Sequence, residues 1–380
     1  MVLLANPGGL LPLSAPSSVA VIGPGADDSG CLFGCYSFPN HVLAAHPEFD
    51  LGIKAPTILD AIRAEFPGSS VSYHPGTTVM GGETEGIEAA VRSAAQAEVS
   101  ILVVGDRSGM FGHGTSGEGC DVTTLDLPGA QGQLADAVLS ASPHTVLVVL
   151  SGRPYAIGDF AARADATLQV FFPGEEGGPA VAGVISGRVE PSGRLPVQIP
   201  AAATNQPGTY LAAPLALRSD GVSNIDPTPA FPFGFGLSYS SLQIDEVVAD
   251  AAEAPTSGSL QISATVSNTG DRVAWHVPQL YLSDPVASIT RPVRRRLSAG
   301  RVRLQPGERA TVHFDVPCEV LGFTGADLRY RVEPGELVLT VAQSAADPGR
   351  SVSVNLTGPV HHAGLGRYRG VTARVDAASS

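Results

Sequence analysis

Basic residues are scarce in this chain. Its 380 residues hold 23 lysines and arginines against 36 aspartates and glutamates, for a formal net charge of −13. Nucleic-acid binding needs a concentrated basic face to displace counterions, so that class is set aside. One basic run exists, Arg291 to Arg296 (RPVRRR). In an acidic chain it reads as a solvated strand edge or loop. Cysteines number only four: Cys31, Cys35, Cys120 and Cys318. They form no CxxC pair and have no histidine at zinc spacing. A Cys31–Cys35 disulfide is the lesser reading; the scatter fits a chain that needs none. No run of about 18 apolar residues occurs, so no membrane helix is expected. The start, MVLLANPGGLLPL, lacks a basic region and is broken by Pro7, Gly8 and Gly9. It reads as a linker into a first strand rather than an export signal. That points to a cytoplasmic location, although a truncated N-terminus would hide a signal. No internal repeat is evident.

Apolar material is plentiful: 43% of residues are hydrophobic and 16% charged, enough for a sizeable core. With 44 glycines and 31 prolines, loops should be abundant. The length suggests two or three domains. From 18 to about 200, short apolar runs alternate with helical periods. Strands are expected at 18–25, 70–76, 99–106, 144–154 and 167–174. Helices are expected at 57–66, 84–97, 128–141, 155–164 and 177–187, with Pro128 near the start of the third. This alternation predicts an α/β/α sandwich with a mostly parallel sheet. Residues 188–240 are dense in Pro, Gly and aromatics and read as ordered loops. From 241 the segments LQISATVSNTGD, VPQLYLSD, ERATVHFDV and GELVLTVAQS alternate polar and apolar residues. They predict an all-β sandwich of immunoglobulin or fibronectin III type. The expected divisions are a linker at 1–17, the α/β domain at 18–240, the β-sandwich at 241–360 and a loosely held tail at 361–380.

The sharpest candidate for chemistry is Glu118, in FGHGTSGEGCDVTTLDLPGAQ (111–131). Four glycines within eight residues surround it, and the loop follows the apolar run 99–106. Ligands of open parallel sheets bind beyond the carboxyl ends of strands. A general acid must come within hydrogen-bond reach of one oxygen, and a loop can deliver it. Spacing alone leaves a solvated loop carboxylate as the commoner reading. Asp106, Arg107, His113 and Asp121 are lesser candidates on the same segment, with no metal spacing among them. Glu175 and Glu176 read as helix-start acids, and Arg194 as a structural arginine bonding loop carbonyls. In VIGPGADD, Asp28 stands where a dinucleotide fingerprint needs its third glycine, and would repel a pyrophosphate.

Six segments occur in one order: VLLANPGGLLPL with VAVIGPGADD, GTSGEGCDVTTLDLPGAQ, SGRPYAIG, FFPGEEGGPAVAGVISGRVEPSGRLPVQIP, FPFGFGLSYS, and the 266–308 stretch beginning VSNTGDRVAWHVPQLYLSD. Together they resemble glycoside hydrolase family 3, the β-glucosidase and β-xylosidase family, over roughly residues 1–358. The resemblance implies the α/β/α sandwich followed by a fibronectin type III-like domain. It implies that Glu118 is the catalytic acid/base. It implies β-xylosides or β-glucosides as substrates, hydrolysed from the non-reducing end, and no metal or organic cofactor. Family members carry the nucleophilic aspartate on an N-terminal (β/α)₈ barrel, which nothing here supplies. The chain is therefore expected to be the C-terminal part of a retaining β-glycosidase, inactive alone and in need of a barrel partner. The alternative is a non-catalytic subunit that docks a barrel or binds sugar.

Overall fold

Buried β-branched runs build one sheet in the first half of the chain. The computed structural model describes residues 1–203, 208–217, 219, 221–362 and 370–376. Its strands are β1 (Val2–Ala5), β2 (Ser18–Ile22), β3 (Ser70–His74), β4 (Val99–Gly105), β5 (Thr145–Leu150) and β6 (Ala166–Gln169). The order across the sheet is β1-β6-β5-β4-β2-β3. β2 to β6 are parallel, and β1 is antiparallel to β6. Every residue of β4 and β5 is buried, as a sheet covered on both faces requires. The helices are α1 (Phe38–His41), α2 (Ile58–Glu65), α3 (Ile87–Gln96), α4 (Gln131–Ala141), α5 (Gly158–Arg163) and α6 (Gly177–Ser186). α2 packs on α6, while α3 packs on α4 and α4 on α5. The helices thus fall into two layers, and the architecture is the expected α/β/α sandwich. Thr57 starts α2 by accepting the Asp60 N–H at 3.1 Å, an N-cap of the usual kind. Glu176 stands at the N-cap of α6.

Three details depart from the sequence reading. Residues 1–17 were expected to be a linker, yet β1 is an integral edge strand with Val2, Leu3 and Leu4 buried. The breaker residues follow it, in a turn where Gly9 donates to the Asn6 carbonyl at 3.1 Å. α4 starts at Gln131 rather than at Pro128, whose carbonyl accepts from Gln131 N at 3.2 Å. The expected loose tail contains a strand, Thr372–Val375, paired antiparallel with Arg309–Pro317. Arg374 holds it there, donating through Nε to Asp315 at 3.0 Å. Residues 363–369 and 377–380 of that tail lie outside the described residues.

The second unit consists chiefly of residues from Pro232 onward, with Arg194–Gln198. One sheet joins Leu242–Ala249, Ser259–Asn268, Arg309–Pro317 and Thr372–Val375; the other joins Glu253–Pro255, Arg350–Thr357, Gly335–Ala342, Gln279–Ser283 and Arg295–Ala299. Alternate residues, including Ile262, Ala264, Val266, Val312 and Phe314, meet Leu280, Leu339 and Val341 in one core. The period of two in each strand dictates this sandwich.

The RPVRRR run does end in an edge strand, Arg295–Ala299, but it is not simply solvated. Arg291 lies over the Phe323 ring and 3.4 Å from Asp284. Arg294 and Arg295 each donate to a carbonyl at 2.6 Å, of Asp347 and Val320 respectively. Neighbouring loops supply acceptors that the local sequence cannot reveal. Arg194 is half-buried, and desolvation pushes its pKa down to about 10.

Candidate active site

The sheet order creates a crevice. From β2 the chain moves outward to β3, then crosses back to β4 on the other side of β2. The connections leaving β2 and β4 therefore diverge, and the carboxyl ends of these strands form the switch point where such sheets bind ligands. Asp28 lies in the connection after β2, and Glu118 in the one after β4. Asp28 Oδ1 accepts from Gly30 N at 2.8 Å and starts the turn Ser29–Leu32. Its Oδ2 accepts from Arg107 Nη1 at 2.9 Å, tying the two connections together. Asp28 is thus committed to protein donors where a dinucleotide phosphate would need free N–H groups. Burial, and then the Asp28 charge, push the Cys31 thiol up. All four cysteines are free thiols.

The root of the Glu118 loop is rigid. Gln131, fully buried at the start of α4, accepts from Gly105 N at 2.7 Å and donates to the Gly105 and Val79 carbonyls, both at 2.8 Å. Asp106 follows with only 1% of its surface exposed. It accepts from Thr115 Oγ1 at 2.6 Å, from Gly152 N at 2.8 Å and from the Tyr155 hydroxyl. Burial and the Asp106 charge push the Tyr155 phenol up. A buried carboxylate with three donors is a clamp: it joins the ends of β4 and β5 to the returning limb of the loop.

The loop then closes on itself. Thr115 N donates to the Arg107 carbonyl at 3.0 Å, and Gly109 N to the Ser116 carbonyl at 2.9 Å. Gly117 has φ +115°, and an added Cβ would strike the Gly109 carbonyl and Cys35. Only glycine permits both that conformation and that approach. Phe111, 72% exposed at φ +54°, donates its N–H to the Glu118 carbonyl at 2.8 Å. A bulky residue at positive φ is strained, and here it turns the loop tip. The glycines thus serve tight folding rather than looseness.

Glu118 sits exposed at this tip, between Gly117 and Gly119. Its Oε2 accepts a hydrogen bond from the Tyr36 phenol. That bond, and then the carboxylate's charge, push the Tyr36 phenol up. The remaining candidates divide between two clefts. Arg107 and His113 line one of about 590 Å³, with Asn40, Met80 and Glu83. Asp121 lines the other, of about 530 Å³, with Cys35, Ser116, Arg153 and Phe172. His113 and Asp121 are exposed, and Asp106 is withdrawn beneath them. Among the described residues no group of three or more His, Cys, Asp and Glu could hold a metal ion, and no helix is long and apolar enough to cross a membrane.

Sequence reasoning passed over Tyr36, Gln131 and Tyr155. Gln131 had a signal: it shares a helical stripe with the buried Leu134, Ala135 and Val138, so a polar group falls on an apolar face. Tyr36 had none, being 82 positions from Glu118.

Comparison with known proteins agrees with this architecture. Residues 1–239 match the glycosyl hydrolase family 3 C-terminal domain, and residues 276–345 a fibronectin type III-like domain. A β-xylosidase of Formosa agariphila is 32% identical over 94% of this chain and 48% of its own length. A periplasmic β-glucosidase of Salmonella typhimurium is 30% identical over 91% of this chain and 47% of its own. The crystal structure of a Listeria innocua β-glucosidase in complex with glucose superimposes with a TM-score of 0.81 at 28% identity, over 94% of this chain and 48% of that one. The chain spans about half the length of these relatives. On these matches it belongs to glycosyl hydrolase family 3, carrying the family's C-terminal domain and a fibronectin type III-like domain.

Proposed function

We propose that this chain contributes the acid/base carboxyl, Glu118, to a retaining β-glycosidase acting on terminal non-reducing β-D-xylosyl or β-D-glucosyl residues. The nucleophile is assigned to a (β/α)₈ barrel outside the chain. One observation carries the reading: an exposed carboxylate on a rigidly rooted loop beyond β4, at the switch point of the sheet. Retaining hydrolysis needs two carboxyls about 5–5.5 Å apart. The nucleophile attacks the anomeric carbon as Glu118 protonates the departing glycosidic oxygen. Glu118, now ionised, then takes a proton from water, whose oxygen attacks the same carbon and releases the nucleophile. Asp106 and Gln131 fix the loop root, and Tyr36 meets the working carboxylate.

Supporting this reading, the names of both curated relatives describe β-glycosidases. The alternative, a docking or sugar-binding subunit without chemistry, draws on the exposed Phe111 and Met80, at 72% and 57%. Large exposed apolar groups mark interaction surfaces. Glu118→Gln separates the two. In this chain combined with a family barrel, the acid/base role predicts a fall in kcat/KM of about 10²–10⁴-fold on unactivated disaccharides. The loss should be far smaller on dinitrophenyl glycosides, whose leaving groups need no proton. An unchanged rate on both would leave the docking reading standing.

A further inference from the structure

Glu118 is not held by its own loop alone. The connection after β2 folds into the turn Ser29–Leu32 and the short helix α1. Asn40, 5% exposed, staples this segment: its Nδ2 donates to the Phe33 carbonyl at 2.7 Å and the Gly30 carbonyl at 3.0 Å. Ser37 Oγ adds a bond to the Gly34 carbonyl at 2.6 Å. On that fixed backbone the Tyr36 ring stands edge-on to His41, with centroids 6.1 Å apart. Cys35 lies so near Gly117 that an added Cβ there would strike it. The connection after β2 therefore reaches the Glu118 loop at two adjacent points, through Cys35 beside Gly117 and through the Tyr36 hydroxyl on Glu118.

We propose that Tyr36 is a positioning residue for the Glu118 carboxylate, its phenol fixing Oε2 so that Oε1 is the oxygen that gives and takes the proton. This rests on the acid/base reading of Glu118. A carboxylate on a glycine-flanked tip would otherwise rotate freely, and misplacing a catalytic group by about 1 Å is costly. A phenol suits the task because it is a single donor that stays protonated through the working range. Its own ionisation is further disfavoured by the carboxylate it serves. Cys35 and His41 are the other titratable groups beside it.

Two measurements test this. In the chain itself, ¹³Cζ tyrosine NMR follows the Tyr36 phenol, assigned by its loss in Tyr36→Phe. Replacing Glu118 by Gln should let that phenol titrate at lower pH. An unchanged titration overturns the contact, whatever Glu118 does in catalysis. In the chain combined with a family barrel, Tyr36→Phe should lower kcat/KM about tenfold on poor leaving groups, leave dinitrophenyl glycosides near wild type, and leave inhibitor binding unchanged. An equal loss on all substrates, or none, overturns the positioning role. If Glu118→Gln were harmless while the phenol titration shifted, the acid/base reading would fall and the contact would survive.

Discussion

Asp106 shows what a carboxylate beside a candidate site can do besides chemistry. Its three donors come from Thr115, Gly152 and Tyr155, and the Thr115 hydroxyl also reaches the Arg107 carbonyl at 3.2 Å. Asp106→Ala should strand the Gly152 N–H and the Tyr155 hydroxyl, at a cost of about 3 kcal/mol, and loosen the loop through Glu118. Thermal unfolding of the variant should show a clearly lowered midpoint; a midpoint within a degree of wild type would refute the clamp. In the sequence Asp106 looked like one more acid on the loop. Its burial depends on groups 46 and 49 positions away, which local pattern cannot display. Glu118 is the opposite case. A buried run followed by glycines announced a carboxylate at a strand's carboxyl end, but the acid/base role proposed for it rests on the family resemblance.

At the level of elements, apolar runs and the 3.6-residue stripe placed the five parallel strands and five of the six helices, because both are written locally; β3, at the sheet edge, is only partly buried. β1, α1 and the Thr372–Val375 strand escaped this reading, being short; the two strands are also paired with partners far along the chain. Gln131 belongs to α4, and Gln131→Leu should cost about 1–3 kcal/mol by leaving the Gly105 peptide unpaired, read in chemical unfolding. The sandwich offers a pH test. His276, fully buried in Ala274–His276, is pushed down to about 3 by burial and then by the Arg194 charge. The unfolded chain takes up a proton near pH 6.5 that the folded chain refuses. His276 therefore leaves stability unchanged above pH 6.5, and its contribution lowers stability by up to about 1.4 kcal/mol per unit between there and about pH 3. His276→Leu should flatten that slope in urea titrations from pH 7 to 4.5, and equal slopes in the two proteins would contradict it.

For the molecule as a whole, the carboxyl end of the first sheet carries a concentration of exposed apolar groups. Tyr36, Phe38 and Phe49 lie in the connection after β2, Met80 in that after β3, and Phe111 and Val122 in that after β4; each is at least 46% exposed. Parallel strands send all three connections to one end, so these side chains share a face. Such a face is suited to a partner surface, and in isolation the chain should self-associate in sedimentation velocity, less so in a Met80→Ser/Phe111→Ser variant. A monodisperse monomer at every concentration would speak against a docking face. If that face presents Glu118 as the acid/base carboxyl, the deciding quantity is the ratio of kcat/KM for wild type to Glu118→Gln on an unactivated β-disaccharide, measured with this chain combined with a family barrel. No turnover is expected from the chain alone, turnover on combination, and a ratio of about 10² or more; a ratio near one would take the acid/base role away from Glu118.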